Sequence, residues 1–212
     1  MERFGKPTGF YNRQIATLSR ISHAQAQAVD VDTKQPVGEL AYFDDVVRFF
    51  SNKASQPSDR GTFVHGDYKI DNLVFHKTEP RVIGILDWEM STIGHPLSDI
   101  SNLTSPYYIK SSEHQSEAFQ PGATPGLPRR EECLRWYADV AGWDPTPEIH
   151  WGDAFFVFRS CVIVQGIAAR HALRQASSAR AGEYIKMMEP FALECHRRVQ
   201  ELQTQAPPTG KL

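Results

Sequence analysis

The sequence contains little cysteine. Its 212 residues include three cysteines, which are Cys133, Cys161 and Cys195. They are widely separated, show no metal-ligand spacing and carry none of the flanking residues that mark a catalytic thiol. A chain of this length can bury a hydrophobic core without disulfide bonds. Free thiols in a reducing compartment are therefore the simplest interpretation.

Long hydrophobic runs and a strong charge of one sign are also lacking. No apolar run reaches the roughly 20 residues that cross a bilayer, because the longest candidate, 154–169, is interrupted by Arg159, Ser160 and Gln165. Residues 1–7 lack the apolar core of a signal peptide. A formal net charge of -2 provides no clustered basic face for a phosphate backbone. We therefore expect a cytoplasmic protein that binds neither membranes nor nucleic acid.

Hydrophobic periodicity indicates a mostly helical chain with a small β region. Helices are predicted over residues 12–28, 37–52, 129–141, 148–173 and 179–202, and short strands over 62–64, 73–75 and 82–86. Residues 106–128 are predicted to form a long functional loop and 205–212 a disordered tail. The predicted fold class is α+β, mostly helical, with a small β hairpin region. Four tryptophans are candidates for the core or for a wall of the substrate site, with the core favoured for each: Trp88, Trp136, Trp143 and Trp151.

Three polar residues, Asp67, Asn72 and Asp87, interrupt or follow the predicted strands. If the hairpin turn centres on residues 79 and 80, antiparallel pairing places Asn72 opposite Asp87 at the open end of the hairpin, beside Asp67. Two carboxylates and an amide oxygen suit a hard cation such as Mg²⁺, which is usually shared with substrate phosphates. We therefore predict Asn72 and Asp87 as metal ligands, and Asp67 as the catalytic base that orients and deprotonates an attacking hydroxyl.

The spacing of these residues matches a known catalytic loop. Protein kinases have a His, an Asp two residues later and an Asn five beyond that, followed downstream by a metal-binding Asp. His65, Asp67 and Asn72 have this spacing, and Asp87 takes the downstream place. The forms His-Gly-Asp and Asp-Trp-Glu resemble the aminoglycoside phosphotransferase and choline kinase families. The resemblance implies a protein kinase-like fold, ATP as the phosphoryl donor, Mg²⁺, and a small-molecule hydroxyl as the acceptor.

Further segments resemble the phosphotransferase domain of acyl-CoA dehydrogenase family members. These segments are residues 4–7, 13–15, 94–99, 126–128, 158–159 and 165–166. The resemblance covers nearly the whole chain, up to about residue 202. It implies acceptors that include hydroxylated acyl chains on coenzyme A.

The resemblance also assigns roles to other residues, each of which has a plainer alternative. Lys69 takes the place of a catalytic, phosphate-facing lysine, and the alternative is a solvent-exposed loop lysine. His65 is expected to support the loop structurally without transferring a proton. Asp99 is expected to brace the loop backbone, and its alternative is an exposed Asp at a helix start. Glu89 either reaches the metal through water or is exposed.

The ordinary family member also has an N-terminal lobe that holds the nucleotide with a strand lysine and a covering loop. About 60 residues precede His65 here, they are predicted to be helical, and Gly5 and Gly9 form no phosphate-binding pattern. We therefore expect residues 1–204 to be the C-terminal lobe without the ATP-binding lobe. Activity of this chain alone is expected to be weak or absent.

Two other functions are kept as alternatives. One is a non-catalytic binding module with a relict catalytic loop, in which a protein partner or a second copy covers the surface where the N-terminal lobe docks. The other is a metal-dependent hydrolase with His65, Asp67 and Asp87 on one ion. The hydrolase would need a further histidine, for which His76 and His95 are the candidates.

Overall fold

The computed structural model describes residues 4–109, 117–176 and 180–205. Its helices include α1 (Phe10–Ala26), α2 (Phe43–Ser51), α3 (Leu97–Leu103), α4 (Arg130–Ala141), α5 (Ile149–Ala172), α6 (Ala181–Ile185) and α7 (Met188–Gln205). Its strands are β1 (Thr62–Val64), β2 (Leu73–Phe75), β3 (Val82–Ile85) and β4 (Thr92–Gly94). Short 3₁₀ turns lie at Ile70–Asn72, Trp88–Met90 and Ser105–Tyr107. The predicted fold class, mostly helical with a small antiparallel β region, is confirmed.

Contacts within the chain divide it into two compact units. The first unit comprises residues 4–10 and 58–153, and the second comprises 11–57 and 154–205. The four strands and every predicted site residue lie in the first unit.

The strands of the first unit form two antiparallel ribbons. β1 pairs with β4, and β2 pairs with β3 with Leu73 opposite Ile85. In the sequence, the hairpin of β2 and β3 therefore lies between β1 and β4. Both connections, residues 65–72 and 86–91, join one ribbon to the other, so they bring the predicted site residues to one region.

The core of the first unit fixes the helix that carries further site residues. Leu97 and Ile100 lie three positions apart on α3 and are 0% and 3% exposed, because residues with this spacing share a helix face. Burying such side chains stabilises the fold by about 1.5–3 kcal/mol each. This burial anchors α3 and the polar residues beside its apolar face.

The second unit has an aromatic core. Phe158 packs against Phe50 and Phe155 with ring centroids 5.5 and 5.8 Å apart. By length and composition alone, α5 is apolar enough to cross a membrane, but 72% of its apolar window is buried in the fold. A helix that is hydrophobic on most sides and buried is typical of a protein core.

Two predicted helices differ from the structure. The helix predicted over 37–52 begins at Phe43, because Tyr42 has a left-handed backbone (φ 57°, ψ 22°) that an α-helix does not include. The helix predicted over 179–202 is divided into α6 and α7, while residues 177–179 lie outside the described part of the chain. Gln205, predicted to begin the tail, ends α7, and residues 206–212 are outside the described residues.

The sequence pattern also fails to predict β4. Thr92–Gly94 lacks the apolar run by which the other strands were recognised, because Ile93 is its single large apolar residue. It becomes a strand through its pairing with β1. Of the loop predicted over 106–128, residues 110–116 lie outside the structure's described ranges.

Candidate active site

Asp67 lies at the centre of a polar cluster in the connection after β1. Its Oδ2 lies 3.0 Å from Nζ of Lys69 and accepts a 3.2 Å hydrogen bond from Nδ2 of Asn72. The same Nδ2 donates to the backbone oxygen of Asp67 at 2.8 Å. The 3₁₀ turn Ile70–Asn72 places the Asn72 side chain in this position. The structure therefore brings three predicted site residues together.

Asp87 lies one residue beyond the position that pairs with Asn72. The backbone N–H of Leu86 donates to the backbone oxygen of Asn72 at 2.8 Å, so Asn72 faces Leu86 and Asp87 follows one residue later. The predicted pairing of Asn72 with Asp87 is thus wrong by one position. Asp87 is exposed and has a left-handed backbone (φ 65°, ψ 56°) at the start of the turn Trp88–Met90. Its role as a metal ligand stays a prediction.

A shifted turn and a β-bulge together set the observed register. Phe75 pairs with Val82, but Val74 pairs with Gly84, so Ile83 is an extra residue on β3. An extra residue on one strand of an antiparallel pair shifts every later pair on that strand. Because Phe75 faces Val82, the turn centres between residues 78 and 79 and not at 79 and 80, which alone would move the partner of Asn72 two positions, from Asp87 to Ile85. The bulge restores one of these two positions.

His65 joins the two connections through both of its ring nitrogens. Nδ1 accepts a 3.2 Å hydrogen bond from the backbone N–H of Asp67. Nε2 lies 2.8 Å from the backbone oxygen of Leu86, so in the matching tautomer Nε2 carries the proton and donates it to that carbonyl. The ring is 3% exposed. His65 therefore ties the Asp67 loop to the end of the hairpin.

Asp99 holds the backbone of the same loop. Its Oδ2 accepts the N–H of His65 at 2.7 Å, and its Oδ1 accepts the N–H of Gly66 at 2.9 Å. Charged acceptors make stronger hydrogen bonds than neutral ones, and two such bonds fix the carboxylate plane. The nearby Asp99 charge adds to burial in raising the pKa of Tyr68, which keeps this phenol neutral beside the loop.

Asn102 is a contact of Asp67 that the sequence reasoning missed. Its Nδ2 donates to Oδ1 of Asp67 at 3.2 Å, and the residue is 5% exposed. Asn102 follows Asp99 by three positions on α3, so both side chains project from one face of the helix. The sequence signal available for Asn102 was its position three residues after Asp99, which was expected to brace the loop.

Comparisons with known proteins agree with this geometry. A model of the phosphotransferase enzyme family (APH) matches residues 1–137. The chain belongs to the phosphotransferase enzyme family. It is similar to a solved structure from Ralstonia eutropha JMP134 described as that of an aminoglycoside phosphotransferase, with a TM-score of 0.79 and 30% identity. That match covers 94% of this chain and 58% of the other.

Curated relatives of this phosphotransferase-family chain are longer proteins. Acyl-CoA dehydrogenase family member 11 of Gallus gallus is 30% identical, over 100% of this chain and 27% of the relative. Acyl-CoA dehydrogenase family member 10 of Mus musculus is 38% identical, over 91% of this chain and 17% of the relative. The chain therefore spans less than a third of these relatives. The predicted resemblance to both groups is confirmed.

The oxygen atoms at this candidate site fit Mg²⁺ better than zinc. The Asn72 amide nitrogen is committed to Asp67 by two hydrogen bonds, which leaves the amide oxygen as the atom suited to a cation. Within residues 4–109, 117–176 and 180–205, no three His, Cys, Asp or Glu side chains are grouped to hold a metal ion by themselves. Mg²⁺ usually takes one or two protein oxygens and completes its shell with water and phosphates. Asn72 and Asp87 match that requirement.

The same contacts weaken the hydrolase alternative. His65 uses Nδ1 and Nε2 for Asp67 and Leu86, so neither nitrogen remains for a metal ion in this arrangement. His95 is likewise engaged with the backbone at Ser58 and Leu97. A zinc site needs several such ligands at once.

An exposed aromatic face lies beside the candidate site. We define it as Phe4, Phe63 and Trp88, which are 64%, 49% and 45% exposed. Phe63 stacks on Trp88 at 5.8 Å and meets Phe4 edge-on at 6.0 Å. The core position predicted for Trp88 is therefore wrong, as it is for Trp136 at 51% exposure, whereas Trp151 is buried. Composition alone cannot distinguish an exposed aromatic cluster from a buried one.

Proposed function

We propose that this chain transfers the γ-phosphate of ATP to the hydroxyl of a small molecule. The observation that supports this most is the Asp67 carboxylate, held by Lys69 and Asn72 in a loop that His65 ties to the hairpin end. Phosphoryl transfer is catalysed mainly by positioning and by electrostatic stabilisation, and its recurring parts are a carboxylate that orients the nucleophile and ligands for a metal ion. Both parts occur here at the family's motif positions.

Asp67 is the proposed base. Its carboxylate accepts the proton of the acceptor hydroxyl as the oxygen attacks the γ-phosphorus and the bond from that phosphorus to the departing ADP breaks. Lys69, at 3.0 Å, offsets negative charge at Oδ2. Asn72 and Asp87 would hold Mg²⁺, which would neutralise charge on the phosphate oxygens. His65 and Asp99 keep the loop backbone in place and take no part in proton transfer.

We further propose that the acceptor is a hydroxyacyl compound. The support is that similar sequences occur within acyl-CoA dehydrogenase family members. A kinase acting on a hydroxylated acyl chain would share its acyl substrate with such a dehydrogenase. The near-neutral charge of the chain supports a small acceptor over nucleic acid.

A protein partner or a second copy of the chain is proposed to cover the aromatic face. Exposed aromatic clusters of this kind are typical of interaction sites. Transfer by the chain alone is expected to be slow. In this class, groups that hold the phosphates supply much of catalysis, whereas the cluster around Asp67 provides the base and the predicted metal ligands.

The test is a transfer assay with MgATP and a panel of small alcohols that includes hydroxyacyl-CoA thioesters, with products identified by mass spectrometry. Asp67→Asn should lower the rate by about 10²-fold or more, because it removes the proton acceptor but preserves the shape of the side chain. Asp71→Asn is the matched control, since Asp71 is an exposed carboxylate in the same loop. It should leave the rate unchanged.

A non-catalytic binding module is the second candidate, and the exposed aromatic face is the observation that favours it. The two are separated by calorimetry with MgATP. The kinase requires nucleotide binding that Asp87→Ala weakens. Absence of transfer to every acceptor, together with binding that ignores Asp87→Ala, would refute the kinase and its metal assignment.

A further inference from the structure

Asn102 contacts the second oxygen of the Asp67 carboxylate. Lys69 and Asn72 contact Oδ2, whereas Asn102 donates to Oδ1 at 3.2 Å. We propose that Asn102 is a positioning residue that fixes the orientation of the Asp67 carboxylate. This inference rests on the proposed phosphoryl transfer, in which Asp67 acts as base.

Contacts at both carboxylate oxygens are needed because rotation about the last side-chain bond of Asp is weakly restrained. Rotation of a carboxylate about its terminal bond has broad, two-fold minima, so contacts at one oxygen leave its plane poorly defined. A donor on the second oxygen removes that freedom. Asn102 is 5% exposed, so water competes little for this hydrogen bond. As a neutral amide it restrains the carboxylate without adding a charge.

The helix that carries Asn102 is itself fixed to the catalytic loop. Asp99, one turn earlier on α3, accepts the backbone N–H groups of His65 and Gly66. The end of α3 is secured by the Tyr108 hydroxyl, which donates to the backbone oxygen of Ser101 at 2.9 Å. One short helix therefore sets both the path of the loop backbone and the plane of the Asp67 side chain.

The hydrogen bond is tested first without any catalysis. In the full chain, exchange of the Asn102 side-chain amide protons should be about 10-fold or more faster in Asp67→Ala than in wild type by nitrogen-15 NMR. The buried Gln165 amide, which donates to the backbone oxygen of Gly38, is the internal reference and should not change. Unchanged exchange at Asn102 would overturn the proposal, whether or not the chain proves to be a kinase.

The catalytic consequence is tested by a double-mutant cycle on phosphoryl transfer. Asn102→Leu, similar in shape but without a donor, should lower kcat about 10- to 100-fold with little change in the KM for ATP, because misplacement of a reacting group costs that order of rate. In an Asp67→Ala background the same substitution should have almost no further effect. Thr104→Val, which removes a buried hydroxyl bonded to Ile100, is the control for general damage near α3.

An equal loss in both backgrounds would show that Asn102 acts only on the fold, and the positioning role would be rejected. Wild type that transfers phosphate to no acceptor would instead refute the proposed function. In that case the exchange measurement alone decides whether Asn102 holds the Asp67 carboxylate.

Discussion

Gly66 separates His65 from Asp67 and adopts a backbone that an L side chain resists. Its φ is +85°, and a Cβ built there would lie 2.5 Å from the backbone oxygen of Met90. We expect Gly66→Ala to lower the free energy of unfolding by about 3 kcal/mol or more, since it adds a clash with backbone to a left-handed conformation. Urea denaturation measures the loss.

Gly142 provides the matched control for that substitution. It has a φ of +63° with nothing within 4 Å of the built Cβ, so alanine there meets the conformational cost alone. Gly142→Ala should cost about 1 kcal/mol. Equal losses for the two variants would show that the contact of residue 66 with Met90 is relieved at little cost.

His95 makes stability depend on pH. Burial, opposed by its hydrogen bond to the Ser58 carbonyl, lowers its pKa from 6.5 to about 4. Between these values the unfolded chain binds a proton that the folded chain does not, so the free energy of unfolding falls as the pH falls. From about pH 7 to about pH 4, wild type should lose about 3 kcal/mol more than His95→Gln.

The comparison isolates one histidine, because both proteins keep the other seven of the eight in the sequence. Chemical denaturation at a series of pH values gives the two slopes. Parallel slopes would mean that His95 is protonated as readily in the folded chain as in the unfolded one.

At the scale of elements, α5 contributes the aromatic core of the second unit. Phe158 is 1% exposed and packs against Phe43, Phe50 and Phe155. Phe158→Ala should cost about 3–5 kcal/mol, through lost burial and the cavity that remains. Ile163→Ala on the same helix, at 49% exposure, should cost about 1 kcal/mol or less. Similar losses in thermal or urea unfolding would contradict this picture of the core.

The β hairpin shows which parts of an element the sequence predicts. Apolar runs located β1, β2 and β3, because short stretches of such residues between turn signals are typical of strands. The bulge at Ile83 was not predictable, because an unpaired residue depends on the partner strand. The hairpin appeared at the expected place, and its displaced turn together with the bulge leaves the open end shifted by one residue.

At the scale of the whole molecule, the aromatic face is expected to cause association. In sedimentation experiments over a range of concentrations, we expect wild type to form a dimer that Phe63→Ser weakens, because that substitution removes the central ring of the face. Val140→Ser is the control, since Val140 is 91% exposed outside the face. Wild type and Phe63→Ser with identical masses throughout would exclude self-association through this surface.

The sequence by itself was enough to predict the family of this protein. The spacing of His65, Asp67 and Asn72, with Asp87 downstream, was enough to predict a kinase-type loop and its family. Local spacing carries this information because the loop between two strands is short and its residues stay close together whatever surrounds them.

Only the tertiary structure decided how the loop is held. Asp67 and Asn102 are 35 residues apart and His65 and Asp99 are 34 apart, yet they share hydrogen bonds. Such pairs form because the packing of α3 and the pairing of β1 with β4 bring distant segments together, and periodicity within either segment contains no trace of the other. For the same reason, whether Trp88 is buried or exposed was settled by its neighbours in the fold.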